Sequence, residues 1–285
     1  MSMRNDADGS AFGFRKPCGD GRPAVGAMRT TKHVLGNERE DGGDGRTGAI
    51  AAAGWGPKVA GISRAGIAAL VEDIDRTGFG VIPGFVGAED LARMRAFVAR
   101  AVQDAKGEYA GLIGPDAVAG SGLDDLARSQ PFREMMEGIY AQGTGRQPPK
   151  QDLYQLLRCL SGRSARRHSY FFHYDSYVVT ALIPIEIPTT GQRGDLVMIP
   201  NTRRIRKSYY GNVLDKILLD NKVTQMALTQ LVKRNALKLT RIKMVPGNAY
   251  FFWGYRSVHT NEPCDAGAIR ATALFHYANP HAASS

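Results

Sequence analysis

Residues 169–188 read SYFFHYDSYVVTALIPIEIP. Aromatic and β-branched side chains dominate the run, which predicts β-strand. Two groups stand out in it, His173 and Asp175. Side chains at i and i+2 of a strand share a face, so an imidazole and a carboxylate project together, about 7 Å apart at their bases. A buried ion pair or hydrogen bond would account for the pair alone, because buried polar groups find partners.

Downstream of GRQPPK (145–150), the chain is a series of short strand-like runs: DLYQLLRCL, SYVVTALIPIEI, GDLVMIP, LTRIKMV, NAYFFWGY, SVHTNEP and AIRATALFHYA. Turn signals such as Thr-Thr-Gly, Arg-Gly-Asp and Pro-Gly-Asn separate most of them, a pattern that predicts a sandwich or barrel. Residues 212–235 interrupt the series with helical spacing, so a helical insertion is expected over about 205–238. Upstream, Ser63 is placed to cap a helix with Ile67, Leu70, Val71 and Ile74 on one stripe, and Gly78 to end it. FGVIPGF (79–85) reads as a short strand. A second amphipathic helix follows, with Leu91, Met94, Phe97, Val98 and Val102 in register, and further helix is expected over 123–140. Residues 1–58 are rich in Gly, Asp and Arg without either period. They are expected to be a disordered extension to a domain spanning 59–285.

The 285 residues carry a net charge of +10 and no run of apolar residues long enough for a membrane span. The N-terminus has no apolar stretch of the secretory kind, and three scattered cysteines (Cys18, Cys159, Cys264) fit a reducing compartment. A cytoplasmic location is therefore expected. Arg203, Arg204, Arg206 and Lys207 form a basic run. It reads either as a solvated loop or as a cap over a site for an anionic molecule. No nucleic-acid module is recognisable, so nucleic acid is not expected as a partner. Nothing in the sequence reports on oligomeric state.

His259, in GYRSVHTNEP, supplies a third metal-capable side chain. Two histidines and one carboxylate can hold one face of an Fe(II) ion and leave positions open for small ligands. Arg270 follows eleven residues later inside an apolar strand, where an unpaired cation is costly. A planar guanidinium grips a carboxylate through two parallel hydrogen bonds. Thr272, two residues on, shares its face and adds a hydroxyl. A salt bridge from Arg270 to Glu262 or Asp265 is the plainer alternative.

The ordered set His173-x-Asp175, His259, Arg270-x-Thr272 resembles the iron and 2-oxoglutarate dependent oxygenases. RTGFGVIPGFVGAEDLARMRAFV (76–98) resembles the opening of their phytanoyl-CoA dioxygenase branch, as does the step from His259 to Arg270. The resemblance covers about residues 62–104 and 150–280. It implies a mainly β fold with flanking helices, the double-stranded β-helix or jelly roll shared with cupins. It also implies Fe(II) on His173, Asp175 and His259, with 2-oxoglutarate chelating the metal and its far carboxylate on Arg270. Thr272, Tyr154, Arg158 and Asn261 are candidate contacts to that cosubstrate. The implied reaction uses O2 to hydroxylate an unactivated C–H bond of a small molecule, and releases succinate and CO2. The basic run leans toward an anionic substrate. A carboxylate at position 175 resembles the hydroxylases rather than the halogenases. Desaturation, epoxidation and cyclisation share the same ligands. A cupin-type metalloenzyme without 2-oxoglutarate, a zinc hydrolase and a non-enzymatic jelly-roll binding protein are the rival readings. His168 and His276 read as core or rim histidines.

Overall fold

Ser63 opens the first helix as the sequence predicts: its hydroxyl accepts from the Gly66 N–H at 3.1 Å. The computed structural model describes residues 62–163, 169–205, 215, 217–234 and 239–281. The expected extension over 1–58 lies outside the described residues. Helix α1 (Arg64–Thr77) buries Leu70, Val71 and Ile74, and Gly78 ends it with φ of 98°. That is the left-handed conformation that glycine adopts without strain. Strand β1 (Gly80–Ile82) leads into α2 (Ala88–Asp104), which buries Met94, Val98 and Val102. The helix expected over 123–140 is two helices, α3 (Leu123–Arg128) and α4 (Gln130–Thr144). The extended backbone of Ser129 separates them.

Between α2 and α3 lies β2 (Ala110–Ile113), which the sequence did not announce. The C-terminal half contributes β3 (Tyr154–Leu160), β4 (Val179–Glu186), β5 (Leu196–Ile199), β6 (Thr240–Ile242), β7 (Ala249–Phe252), β8 (Val258–Asn261) and β9 (Arg270–Tyr277). A six-stranded sheet runs β1-β7-β4-β9-β3-β2, and a three-stranded sheet runs β6-β5-β8. Every pairing is antiparallel. Helix α5 (Lys222–Lys233) lies in the expected insertion between β5 and β6.

Residues 169–175 correct the strand expectation. Only His173 pairs, through a single antiparallel bridge to His259, and Tyr170 has φ of 55°. The run has strand composition but just one ladder partner, β8, and a left-handed residue bends it at its start. It therefore extends the small sheet by a single rung beside β8. The architecture is a jelly roll with helices on one side, mainly β as expected.

Alternation along the strands builds two cores. Inward residues of the large sheet (Leu156, Leu182, Tyr250, Phe252, Leu274) meet Leu196, Met198 and Ile242 of the small one. The opposite face of the large sheet (Leu157, Ile183, Phe251, Phe275) packs on α1, α2 and α4, where Phe132 meets Phe275 edge to face at 5.1 Å. Trp253 and Phe251 belong to this second core. A small satellite cluster joins Phe172, Val197 and Val258 to Leu219 and Val232 of the insertion.

Candidate metal and cosubstrate site

The register of β9 decides what faces the interior. Arg270, Thr272, Leu274 and His276 alternate onto one face, opposite Leu160, Arg158, Leu156 and Tyr154 of β3. On the other flank Thr180 of β4 stands opposite His276, and Pro184 opposite Thr272. The small sheet presents His259 and Asn261 beside Met198 and Leu196. The bridge at His173 brings the His-x-Asp segment against that edge: His173 N–H donates to the His259 carbonyl at 3.1 Å, and the reverse bond is 3.0 Å. Asp175 N–H donates to the Gly254 carbonyl at 2.9 Å.

One donor atom each from His173, Asp175 and His259 lies within 4.8 Å of the others, and all three residues are buried. Asp175 Oδ1 stands 3.7 Å from His173 Nε2 and 3.4 Å from His259 Nε2. The orientation of both rings is fixed from behind. His173 Nδ1 is 2.9 Å from the Phe171 carbonyl, and His259 Nδ1 is 3.0 Å from the Ser257 carbonyl. A carbonyl only accepts, so each Nδ1 carries a hydrogen and each ring turns its Nε2 toward Asp175. Phe171 stacks against His173, and Phe252 meets His259 edge to face at 5.0 Å.

Asp175 Oδ2 is turned the other way. Thr180 Oγ1 donates to it at 2.5 Å, and His276 Nδ1 lies 3.0 Å from Thr180 Oγ1 and 3.6 Å from Oδ2. Thr180 has one proton and gives it to the carboxylate, so His276 Nδ1–H donates to Thr180. His276 in turn stacks on Tyr177, and Tyr177 on Tyr154. Gly254 makes this packing possible, since a Cβ there would collide with Asp175 Oδ2 and Thr180 Oγ1.

Burial pushes the His173 imidazole down to about 3, with His259 adding to the effect. It is therefore neutral near pH 7, and a simple ion pair with Asp175 does not describe it. For His259 burial also acts downward, but the Asp175 carboxylate outweighs it and the ring holds its proton more tightly than usual. Burial would raise Asp175, yet His259 and His276 together keep its carboxyl well below the ordinary range. The donor set is two imidazoles and a carboxylate with lone pairs converging on one point, which fits an Fe(II)-type facial site.

Arg270 is buried, and its Nε donates to the Gly194 carbonyl at 2.7 Å. Among the described residues no carboxylate lies within ion-pair distance of it. The two alternatives named from sequence are engaged elsewhere. Glu262 pairs with Arg241 at 3.3 Å, and Asp265 accepts from the Gln192 N–H at 3.0 Å. Burial and the nearby Arg158 push the Arg270 guanidinium down to about 9, which still leaves it charged near neutrality. Two buried guanidiniums and the Thr272 hydroxyl on one face suit an anion.

The remaining predicted residues divide. Arg158 and Thr272 are buried directly opposite each other. Asn261 is buried, but its amide already donates to Ser169 Oγ and the Glu262 carbonyl. Tyr154 is 37% exposed and sits at the rim of the face. Arg203, first of the basic run, is buried between the Tyr174 and Tyr255 rings and pairs with Asp215 at 2.9 Å. It is a packing residue; Arg204 is exposed, and Arg206 and Lys207 lie outside the described residues. Thr180 carries no sequence signal of its own, and His276, which reads as a core or rim histidine, stands beside the carboxylate. The period-two run from Arg270 to His276 carried the signal for the latter.

No family model and no curated protein matches the chain. Solved structures do. A prolyl hydroxylase from Trichoplax adhaerens, in complex with a hypoxia inducible factor oxygen degradation domain peptide fragment, is 16% identical. It aligns over 78% of this chain and 94% of its own, with a TM-score of 0.52. The chain has the fold of the 2-oxoglutarate oxygenases. HygX from Streptomyces hygroscopicus, with nickel and 2-oxoglutarate bound, is 12% identical over 74% of this chain and 86% of its own, with a TM-score of 0.50. A structure of prolyl 4-hydroxylases from Phytophthora capsici is 11% identical over 79% of this chain and 65% of its own, also at 0.50. At these identities the likeness is one of fold.

Proposed function

We propose that the chain is an Fe(II) and 2-oxoglutarate dependent dioxygenase acting in the cytoplasm on a small molecule. The observation that carries this reading is the convergence of His173 Nε2, His259 Nε2 and Asp175 Oδ1, each held by a hydrogen bond on its far side. When bound, the metal and cosubstrate supply an oxidation in which one atom of O2 enters succinate and the other enters the product, with loss of CO2. His173, Asp175 and His259 hold the metal. Arg270 and Thr272, with Arg158 opposite, receive the distal carboxylate of 2-oxoglutarate. Tyr154 at the rim and Asn261 beside His259 border the same region. The apolar inner core and the ring stack of Tyr154, Tyr177 and His276 restrict water, which strengthens the charge contacts inside.

Hydroxylation of an unactivated C–H bond is the reaction we assign, since Asp175 fills the position that chloride would need in a halogenase. The substrate we assign is small and anionic, on the net charge of +10 and the exposed Arg204. Arg203 adds nothing to that preference, being buried against Asp215. A cupin-type enzyme without 2-oxoglutarate would share the three ligands, but it would give Arg270 no duty. A non-enzymatic jelly-roll binding protein would need neither.

Succinate formation tests the proposal. The purified chain with Fe(II), 2-oxoglutarate and O2 should release succinate slowly without substrate, and faster when a screened anionic small molecule is accepted. The His173→Ala variant should release none. Equal succinate from wild type and variant would contradict the assignment.

A further inference from the structure

A strand residue sends its N–H and C=O to one side, and the next residue sends its pair to the other. In the 171–175 segment β8 serves one side only, taking the two backbone bonds of His173. The pair on Phe172 therefore points away from β8, at a residue that is itself buried. Buried backbone groups without partners are costly, so something must replace the missing strand.

That role falls to Gln225 of α5. Its Oε1 accepts from the Phe172 N–H at 2.9 Å, and its Nε2 donates to the Phe172 carbonyl at 2.8 Å. The second Nε2 hydrogen goes to the Leu219 carbonyl at 2.8 Å. A primary amide is the side chain that offers donor and acceptor side by side, as a peptide unit does. Asn221 starts the helix, its Oδ1 accepting from the Thr224 N–H at 2.9 Å, which fixes the turn carrying Gln225. Val232, on the same helix, is buried against the cluster that contains Phe172.

We propose that Gln225 is a positioning residue for His173: the insertion completes the strand pairing of the ligand segment and so fixes where the imidazole stands. The inference rests on the metal reading of His173. It assigns the helical insertion a duty in the centre itself.

The test uses the full chain and two readouts. Hydrogen exchange in the metal-free protein reads the clamp, and Co(II) titration followed by its visible absorption reads the ligand geometry. In Gln225→Met the amides of residues 172 and 173 should exchange about 10-fold faster or more, and Co(II) affinity should fall about 10-fold, the scale at which orienting partners of metal ligands act. Gln225→Ala, a good helix former, gives the same result if the Met variant does not fold. Val232→Ala removes packing from the same helix. It should lower the melting temperature while leaving both readouts within about twofold, because a valine side chain makes no hydrogen bond to the segment's backbone. Unchanged exchange in Gln225→Met, faster exchange with unchanged Co(II) affinity, or equal changes in Val232→Ala would each overturn the inference. A wild-type chain that binds no Co(II) would overturn the metal reading, whereas faster exchange confined to 169–175 would still uphold the clamp.

Discussion

Thr180 donates its hydroxyl proton to Asp175 Oδ2 at 2.5 Å and accepts from His276 Nδ1 at 3.0 Å, so one carboxylate oxygen is committed to the protein and the other is aimed at the two histidines. Removing the hydroxyl while keeping the shape should let the carboxylate rotate. Thr180→Val is expected to weaken Fe(II) or Co(II) binding about 10- to 100-fold, with a smaller change in the apparent 2-oxoglutarate constant. Metal titration of the two proteins checks it, and equal affinities would remove Thr180 from the site.

Gly254 supports the same corner by having no side chain. Gly254→Ala should displace Asp175 or Thr180 and lower metal affinity, and the fold should lose about 1–3 kcal/mol of stability as a buried site is overpacked. Thermal unfolding with and without added metal separates the two effects. An alanine variant that behaves like wild type in both would show that the segment can move aside.

Arg270 should act on the cosubstrate and not on the metal. Arg270→Gln keeps a donor but loses the charge and the planar fork. The apparent 2-oxoglutarate constant is expected to rise about 100-fold or more, on the scale of about 3 kcal/mol for a charge-assisted bond. Co(II) affinity should stay within about threefold. Parallel loss of both would mean that Arg270 shapes the metal site instead.

The proton on His259 gives a pH dependence. Its folded value is raised above the ordinary one, so bound proton stabilises the metal-free fold below the ordinary value, and that contribution is lost as pH rises through the raised value. A metal ion must displace this proton. Calorimetry in buffers of different ionisation enthalpy should therefore count about one proton released per metal below the raised value and none well above it. Zero release throughout would mean that His259 is not a ligand.

The site was legible in the sequence to different depths. His173, Asp175, His259 and Arg270 declare themselves because each is a polar group inside an apolar strand-like run, and the fold brings the first three together. Thr180, His276 and Gln225 do not, because their roles depend on register between β4 and β9, or on where an insertion folds back. Thr180 in particular is an ordinary strand residue by composition. Strand β2 has no sequence signature, since AGLI is four residues with a glycine, paired with β3. The opposite error occurred at 169–175, where propensity predicted a strand that has a single rung. Arg203 belonged to a basic run on paper, and in the fold it is a buried cation between two tyrosine rings.

The most direct test is an anaerobic titration of the metal-free chain with Fe(II) and 2-oxoglutarate, followed in the visible range. A weak charge-transfer band should develop that needs both additions, disappears in Asp175→Ala, and in Arg270→Gln requires far more 2-oxoglutarate. Absence of any band from the wild-type chain at saturating Fe(II) and 2-oxoglutarate would contradict the proposed function.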